Sequence, residues 1–282
     1  MKQLSRPFAS VSLVLIVVGP VLAAAPTAAF LTPSKYTASI GEAVNVRFDV
    51  GAAKDARPGA WPAEGVRWLF VRGGPAQENR HDVRPARDSD NFTSATIEHP
   101  GVTLVGTDQV PAVTEAPAAE WRAFLTLNAA DPAKVSAGLT DRPVRVRQVI
   151  STKTLIRAAA DNQRITPSAI ATSKSGQVVE IRVHFDPTAA QPGSDIPLTF
   201  YVDGDKRSDA KVQATNVTTG KSEEFVTDGG GSGHFCVTDA GVWRVEGHYV
   251  QALDNDPSAD WVVYTATLTF EVGAPVAKGG AQ

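Results

Sequence analysis

Strict alternation of apolar and polar side chains, repeated from one end of the chain to the other, limits what the chain can fold into. Val44, Val46, Phe48 and Val50 alternate with Asn45, Arg47 and Asp49. Val179, Ile181, Val183 and Phe185 alternate with Glu180, Arg182 and His184. Ile196, Leu198, Phe200 and Val202 obey the same rule, as do Val262, Tyr264, Ala266, Leu268, Phe270 and Val272 near the end. A β-strand turns successive side chains to opposite faces, so each run predicts a strand with one face buried and the other in water. Turn-forming clusters separate the runs: Gln191-Pro192-Gly193-Ser194, Asp203-Gly204-Asp205 and Asp228-Gly229-Gly230-Gly231. Short strands at this spacing predict a mostly β chain of antiparallel, Ig-like sandwiches. One stretch departs from period two. Between Pro117 and Asn128, the residues Trp121, Phe124, Leu125 and Asn128 fall at helical spacing, with Pro117 suited to a first turn, which predicts one short helix.

The N-terminal residues follow different physics. Lys2 and Arg6 precede an apolar run, Val11 to Val18, and Val21-Leu22-Ala23 fits a small-residue cleavage site. This is the pattern of a secretory signal peptide over residues 1–23, and it predicts a periplasmic or secreted protein. No later segment reaches the ~18 apolar residues of a membrane helix, so no membrane insertion of the mature chain is expected. Losing Lys2 and Arg6 makes a chain of formal net charge −3 more acidic still, which disfavours nucleic acid as a partner. Cys236 is the single cysteine, so no internal disulfide is possible and burial must hold the core. The polar stretch Asp161 to Gln177 reads as a linker or a long crossing loop. The expected organisation is a β-rich domain over 24–170 that contains the helix, a β-sandwich over 171–273, and a disordered tail over 274–282.

Particular stretches add a resemblance. In Asp203 to Val250, a hairpin turn precedes Asp209-Ala210-Lys211-Val212, Thr227-Asp228, Gly233, Phe235, Gly241 and Trp243. This is similar to the transthyretin-like, or carboxypeptidase-regulatory-like, sandwich. Phe30 to Val50, "EWRAFL" at 120–125, "RVRQVISTKTLI" at 145–156, "GVWRVEGHYV" and "ADWVVYTATLTFEV" extend the likeness over nearly the whole mature chain. Together they resemble a family of exported bacterial proteins of unknown function, often labelled as periplasmic components of nickel or cobalt uptake. The resemblance implies a two-part β-rich binding protein, metal handling, and a membrane metal transporter or envelope protein as partner. Family members often begin the mature chain with a His, but "AAPTAAFLTPS" contains none. The resemblance therefore supplies no N-terminal ligand here.

The residues suggest two cation sites. If Gly233–Thr238 and Val242–Val250 formed a hairpin, alternation would put His234, Cys236 and His248 on one face. Imidazole with thiolate suits nickel, cobalt, zinc or copper. The ordinary reading is surface histidines and a small buried cysteine. In "ALDNDPSADWVVYTATLTFEV", Asp254, Asp256 and Asp260 offer oxygens to a hard cation. A calcium loop also needs a glycine bend and a further carboxylate, and neither stands at the right offset. The alternative is a turn whose aspartates bond their own backbone as it enters the last strand. Gly229–Gly233 lacks the Lys-Ser/Thr and helix of a phosphate loop, and neither a nucleophile elbow nor H-E-x-x-H occurs. The expected function is thus an exported, non-enzymatic binding protein, an accessory of transition-metal uptake. The alternative is a structural or protein- or glycan-interaction module of the envelope that holds no metal.

Overall fold

The alternating runs do form strands, and three sheets stack in layers. The computed structural model describes residues 27–59, 65–74, 80–82, 92–137, 139–159 and 167–273. The signal-peptide pattern, the expected tail and the first part of the expected linker lie outside the described residues. Within them the chain is mostly β, with multiple sheets and three short α-helices.

One outer sheet holds β1 (Ala29–Pro33), β3 (Ala43–Val50), β4 (Arg57–Pro58) and β7 (Phe92–Thr96). The other outer sheet holds β11 (Val179–Val183), β12 (Asp195–Val202), β13 (Asp205–Lys206) and β16 (Ser232–Cys236). Asp203 and Gly204 both take positive φ, 52° and 84°, in the tight turn from β12 to β13. That is the backbone a two-residue hairpin of native twist requires.

The central sheet has ten strands. From the first half of the chain come β2 (Thr37–Ala38), β5 (Val66–Arg72), β6 (Arg80–Asp82), β8 (Val102–Gln109), β9 (Ala112–Ala116) and β10 (Val144–Ala158). From the second half come β14 (Lys211–Asn216), β15 (Ser222–Val226), β17 (Gly241–Ala252) and β18 (Trp261–Val272). The two groups join where β10 pairs with β18 in parallel, from Val146↔Trp261 to Thr154↔Thr269. The boundary expected near residue 170 falls between β10 and β11, yet this sheet draws strands from both sides of it.

Where the central sheet is covered on both faces, β8 and β10 carry apolar side chains on both. Leu155 packs into the core shared with β11, β12 and β16, while its neighbour Ile156 packs into the core shared with β1, β3 and β7. Leu104 and Val105 divide in the same way. Here the expectation of one wet face fails. On β18, Leu268 and Phe270 face one outer sheet, but Thr265, Thr267 and Thr269 on the opposite face are also buried. The Thr267 hydroxyl donates to Ala29 O at 2.6 Å, so threonine here satisfies a neighbouring strand instead of meeting water.

The predicted helix is present as α1 (Ala118–Asn128), with Pro117 at its N-cap position. Trp121, Phe124 and Leu125 form its buried side and pack on Val144, Val146, Trp261 and Val263. Trp121 and Phe124 stack with ring centroids 5.1 Å apart. A second helix, α2 (Pro132–Ser136), was not expected; the Asp131 side chain caps it by accepting from Lys134 N. The expected linker is also corrected over its described part, 167–177. It contains α3 (Ala169–Thr172), and Ile170 and Ala171 enter the core. The Gln177 amide donates to Thr107 O and Thr152 O. These small polar residues bond the backbone of the central sheet, so a composition that resembles a linker forms a packed cover.

Two buried ion pairs tie the layers. Arg244 on β17 reaches over the Phe30 ring to donate to Asp49 at 2.7 Å and to Thr32 Oγ1 at 2.9 Å. Lys153 on β10 donates to Glu180 on β11 at 2.9 Å, and both side chains are under 5 % exposed.

Candidate functional site

The positions singled out from the sequence do not converge. His234 and Cys236 lie on β16, which pairs with β12 through His234↔Pro197 and Cys236↔Asp195. His248 lies on β17, which pairs with β14 and β18. The expected hairpin between them is absent, because residues 237–240 carry the chain from one sheet to the next. Phe235 and Trp243 face each other across the core, with ring centroids 5.8 Å apart. Alternation then sends His234 and Cys236 outward from β16, and His248 to the far side of β17. Burying the two aromatic rings overrides the edge-to-edge pairing on which the expected cluster depended. Among the described residues no three His, Cys, Asp or Glu side chains group as a metal site.

The acidic stretch has the geometry of a turn. Asp256 Oδ1 accepts from Ser258 N, Ser258 Oγ and Ala259 N, and Oδ2 accepts from Arg147 at 2.8 Å. The hydrogen bonds from Ser258 and Arg147 hold the Asp256 carboxyl far below the usual carboxylate range. Asp260 accepts from the Arg145 guanidinium at 2.9 Å and from the Arg145 backbone N–H at 2.8 Å, which also lowers its pKa. Asn255 takes φ 62° at the bend. The two arginines, both from β10, neutralise the acids that a cation would need; Asp254 is exposed. A cavity of about 420 Å³ lies beside this turn between α2 and Trp261. Its acid, Asp260, is the one held by Arg145.

A more chemically loaded cavity, of about 240 Å³, lies on the face of the central sheet beside α1. Its floor is Glu246 and His248 from β17, and one side is Lys211 and Gln213 from β14 with Glu224 from β15. Phe124 and Leu127 of α1 form the facing wall. The residues meet because strand register lines them up. Glu224 pairs with Gln213, and Gln213 pairs with Glu246. Lys211 pairs with His248, and His248 with Thr265. Phe124 presents its ring to His248 edge-on, 5.8 Å between centroids.

Both nitrogens of His248 are engaged. Nε2 lies 3.2 Å from Glu246 Oε1 and Nδ1 lies 3.1 Å from Thr265 Oγ1. Nε2 donates toward the carboxylate oxygen, and at Nδ1 either the imidazole or the Thr265 hydroxyl supplies the hydrogen, according to the tautomer. Hydroxyl, imidazole and carboxylate stand in the order of a nucleophilic triad. Thr265, however, is 2 % exposed and its strand is paired on both edges, so the hydroxyl has no path to a substrate. Glu246 is 8 % exposed and its second oxygen, Oε2, has no hydrogen-bond partner. Lys211 is already paired with Glu224 at 3.1 Å, and Gln213 donates to Glu224 at 2.8 Å. The sequence did contain a signal for this site. Arg244, Glu246 and His248 share one face of a strand whose flanks are strongly apolar, and that run of charged side chains is the sequence signal of this cluster.

Comparison with known proteins returns no matching family and no matching curated protein. Among the described residues no helix is long and apolar enough to cross a membrane.

Proposed function

We propose that this chain is an exported, non-enzymatic binding protein whose ligand site is the cavity over Glu246 and His248. The carrying observation is Glu246 itself, a carboxylate that is 8 % exposed on a rigid central strand, lines a cavity, and has one oxygen without a partner. A buried polar atom of this kind costs about 1–3 kcal/mol when left unpaired, and a ligand donor offsets that cost. The non-enzymatic reading is supported by the burial of Thr265, which closes off the hydroxyl aligned with His248 and Glu246. Export to the periplasm or beyond is supported by the basic and apolar pattern of residues 1–23. The finer architecture in this reading is two sandwich-like layers that share the central sheet, one outer sheet packed on each of its faces. Service in nickel or cobalt uptake would need ligands other than the trio His234, Cys236 and His248, so small-solute binding is preferred.

A thermal-shift screen of the full mature protein tests this. Amines, amino acids, sugars, organic acids, and nickel, cobalt, zinc and copper salts form the panel. The expected result is at least one solute that raises the melting temperature of the wild type and not of Ala52→Trp. Ala52 is an exposed residue at the cavity edge, and its replacement fills the entrance without touching the core. Absence of any hit, or hits indifferent to Ala52→Trp, would refute the assignment.

A further inference from the structure

The chemistry of the cavity is specific enough to name a ligand class. Glu246 sits in the third position of a polar row that runs Glu224, Gln213, Glu246, Thr267 and Thr152 across five strands. Each neighbour has its polar group committed elsewhere or is neutral. Gln213 serves Glu224, the Thr267 hydroxyl serves Ala29 O, and Lys211 serves Glu224. Arg244, two positions along β17, is committed to Asp49, Thr32 and Ala53 O. What remains to Glu246 is His248, whose Nε2 reaches only Oε1.

Among the described residues Glu246 has His248 beside it but no lysine or arginine paired to it, and the cost of burying such a carboxylate falls when a mobile cation is brought to it. We infer that this cavity takes a small protonated amine, its ammonium donating to Glu246 and its carbon chain lying against Phe124 and Leu127. A divalent metal is less suited. Its two carboxylates and one imidazole do not form a donor set: Glu224 is held by Lys211 and Gln213, His248 is bonded at both nitrogens, and among the described residues no three such side chains group as a metal site. An anion is excluded by Glu246 and Glu224, and a neutral alcohol leaves the negative charge uncompensated. The size fits as well, since about 240 Å³ lies below the ~300–1,000 Å³ of drug-sized sites and suits a solute of a few heavy atoms. This inference rests on the binding reading above and specifies its ligand.

The test is titration of ¹⁵N-labelled mature protein with propylammonium chloride, with 1-propanol as the neutral analogue and zinc chloride as the metal control. Saturable shifts are expected for propylammonium at the amides of Glu246, Gly247 and His248 and on α1, and no saturable shifts for 1-propanol. Glu246→Gln, which keeps shape and removes the charge, should weaken propylammonium by at least tenfold. Ala52→Trp, which leaves the acid in place, should do the same by blocking entry, so the inference stays testable if Glu246→Gln does not fold. Equal binding of propylammonium and 1-propanol, undiminished binding by either variant, or zinc saturating these amides while propylammonium does not, would each overturn it. If a solute from the wider screen binds at the cavity and no amine does, the ligand class is wrong and the binding site stands. If nothing binds there, both fall.

Discussion

Replacing Lys153 with methionine would leave the Glu180 carboxylate buried without its cation. The pair links β10 of the central sheet to β11 of an outer sheet, at 2.9 Å, with side chains 3 % and 4 % exposed. Burial alone would push the Glu180 carboxyl up. Lys153, by charge and hydrogen bond, and the Ser175 N–H at 2.8 Å bring it below the ordinary carboxylate value instead. Removing one partner of such a pair costs about 3–5 kcal/mol, because the remaining charge keeps its desolvation penalty and loses the attraction that offset it. For a chain of this size that is a fall of roughly 10 °C in melting temperature. The double variant Lys153→Met, Glu180→Leu should recover most of the loss, since two apolar groups leave no charge behind. The pH dependence provides a second readout. In the wild type the depressed Glu180 pKa contributes stability that is present above the carboxylate's unfolded pKa and is lost as pH falls through the folded value. In Lys153→Met the folded pKa lies above the unfolded one, so the deficit relative to wild type should shrink on acidification toward pH 5. Urea denaturation at a series of pH values, on wild type, both singles and the double, measures all of this. A single-variant cost below about 0.5 kcal/mol, as at an ordinary surface site, would refute the reasoning.

Other consequences are as direct. Trp121→Ala removes a fully buried side chain that packs on Phe124 and Trp261, and should cost about 3–5 kcal/mol in urea denaturation with loss of the near-ultraviolet aromatic signal. Gly247→Ala places a Cβ 2.8 Å from Phe200 Cε2, on a ring that is fully buried, and should cost about 1–3 kcal/mol, measured in the same way. Millimolar calcium should leave the melting temperature unchanged, because Arg147 and Arg145 already occupy Asp256 and Asp260; a calcium-dependent rise that Asp256→Asn removes would show that the turn exchanges arginine for a cation. His234→Ala and Cys236→Ala should each change stability by no more than about 0.5 kcal/mol, since one side chain is exposed and the other half-buried.

Local pattern determined much of this protein. Alternation placed β3, β11, β12 and β18, the Asp203-Gly204 turn placed a hairpin, and the spacing of Trp121, Phe124 and Leu125 placed α1 within a residue of its observed start. The 145–156 stretch is the core of β10. These features are legible because side-chain period and turn conformation are properties of neighbouring residues. The turn at Asp256 was legible for the same reason, as its Asp bonds the backbone two and three residues on.

What tertiary structure alone decided is which strands touch and which faces are covered. Period two says that Thr265, Thr267 and Thr269 share a face, but not that a second sheet and α1 would bury it. It says that Phe235 and Trp243 are inward, but not that they belong to opposing sheets. That choice put His234 and Cys236 on one outer surface and His248 beyond the central strands. It also set Glu246 and His248 beside Lys211, Gln213 and Glu224, more than twenty residues away in the chain and adjacent only through the register of β14, β15 and β17. Register and layer order come from burying aromatic and aliphatic area across the whole chain at once, a sum no local window of sequence contains.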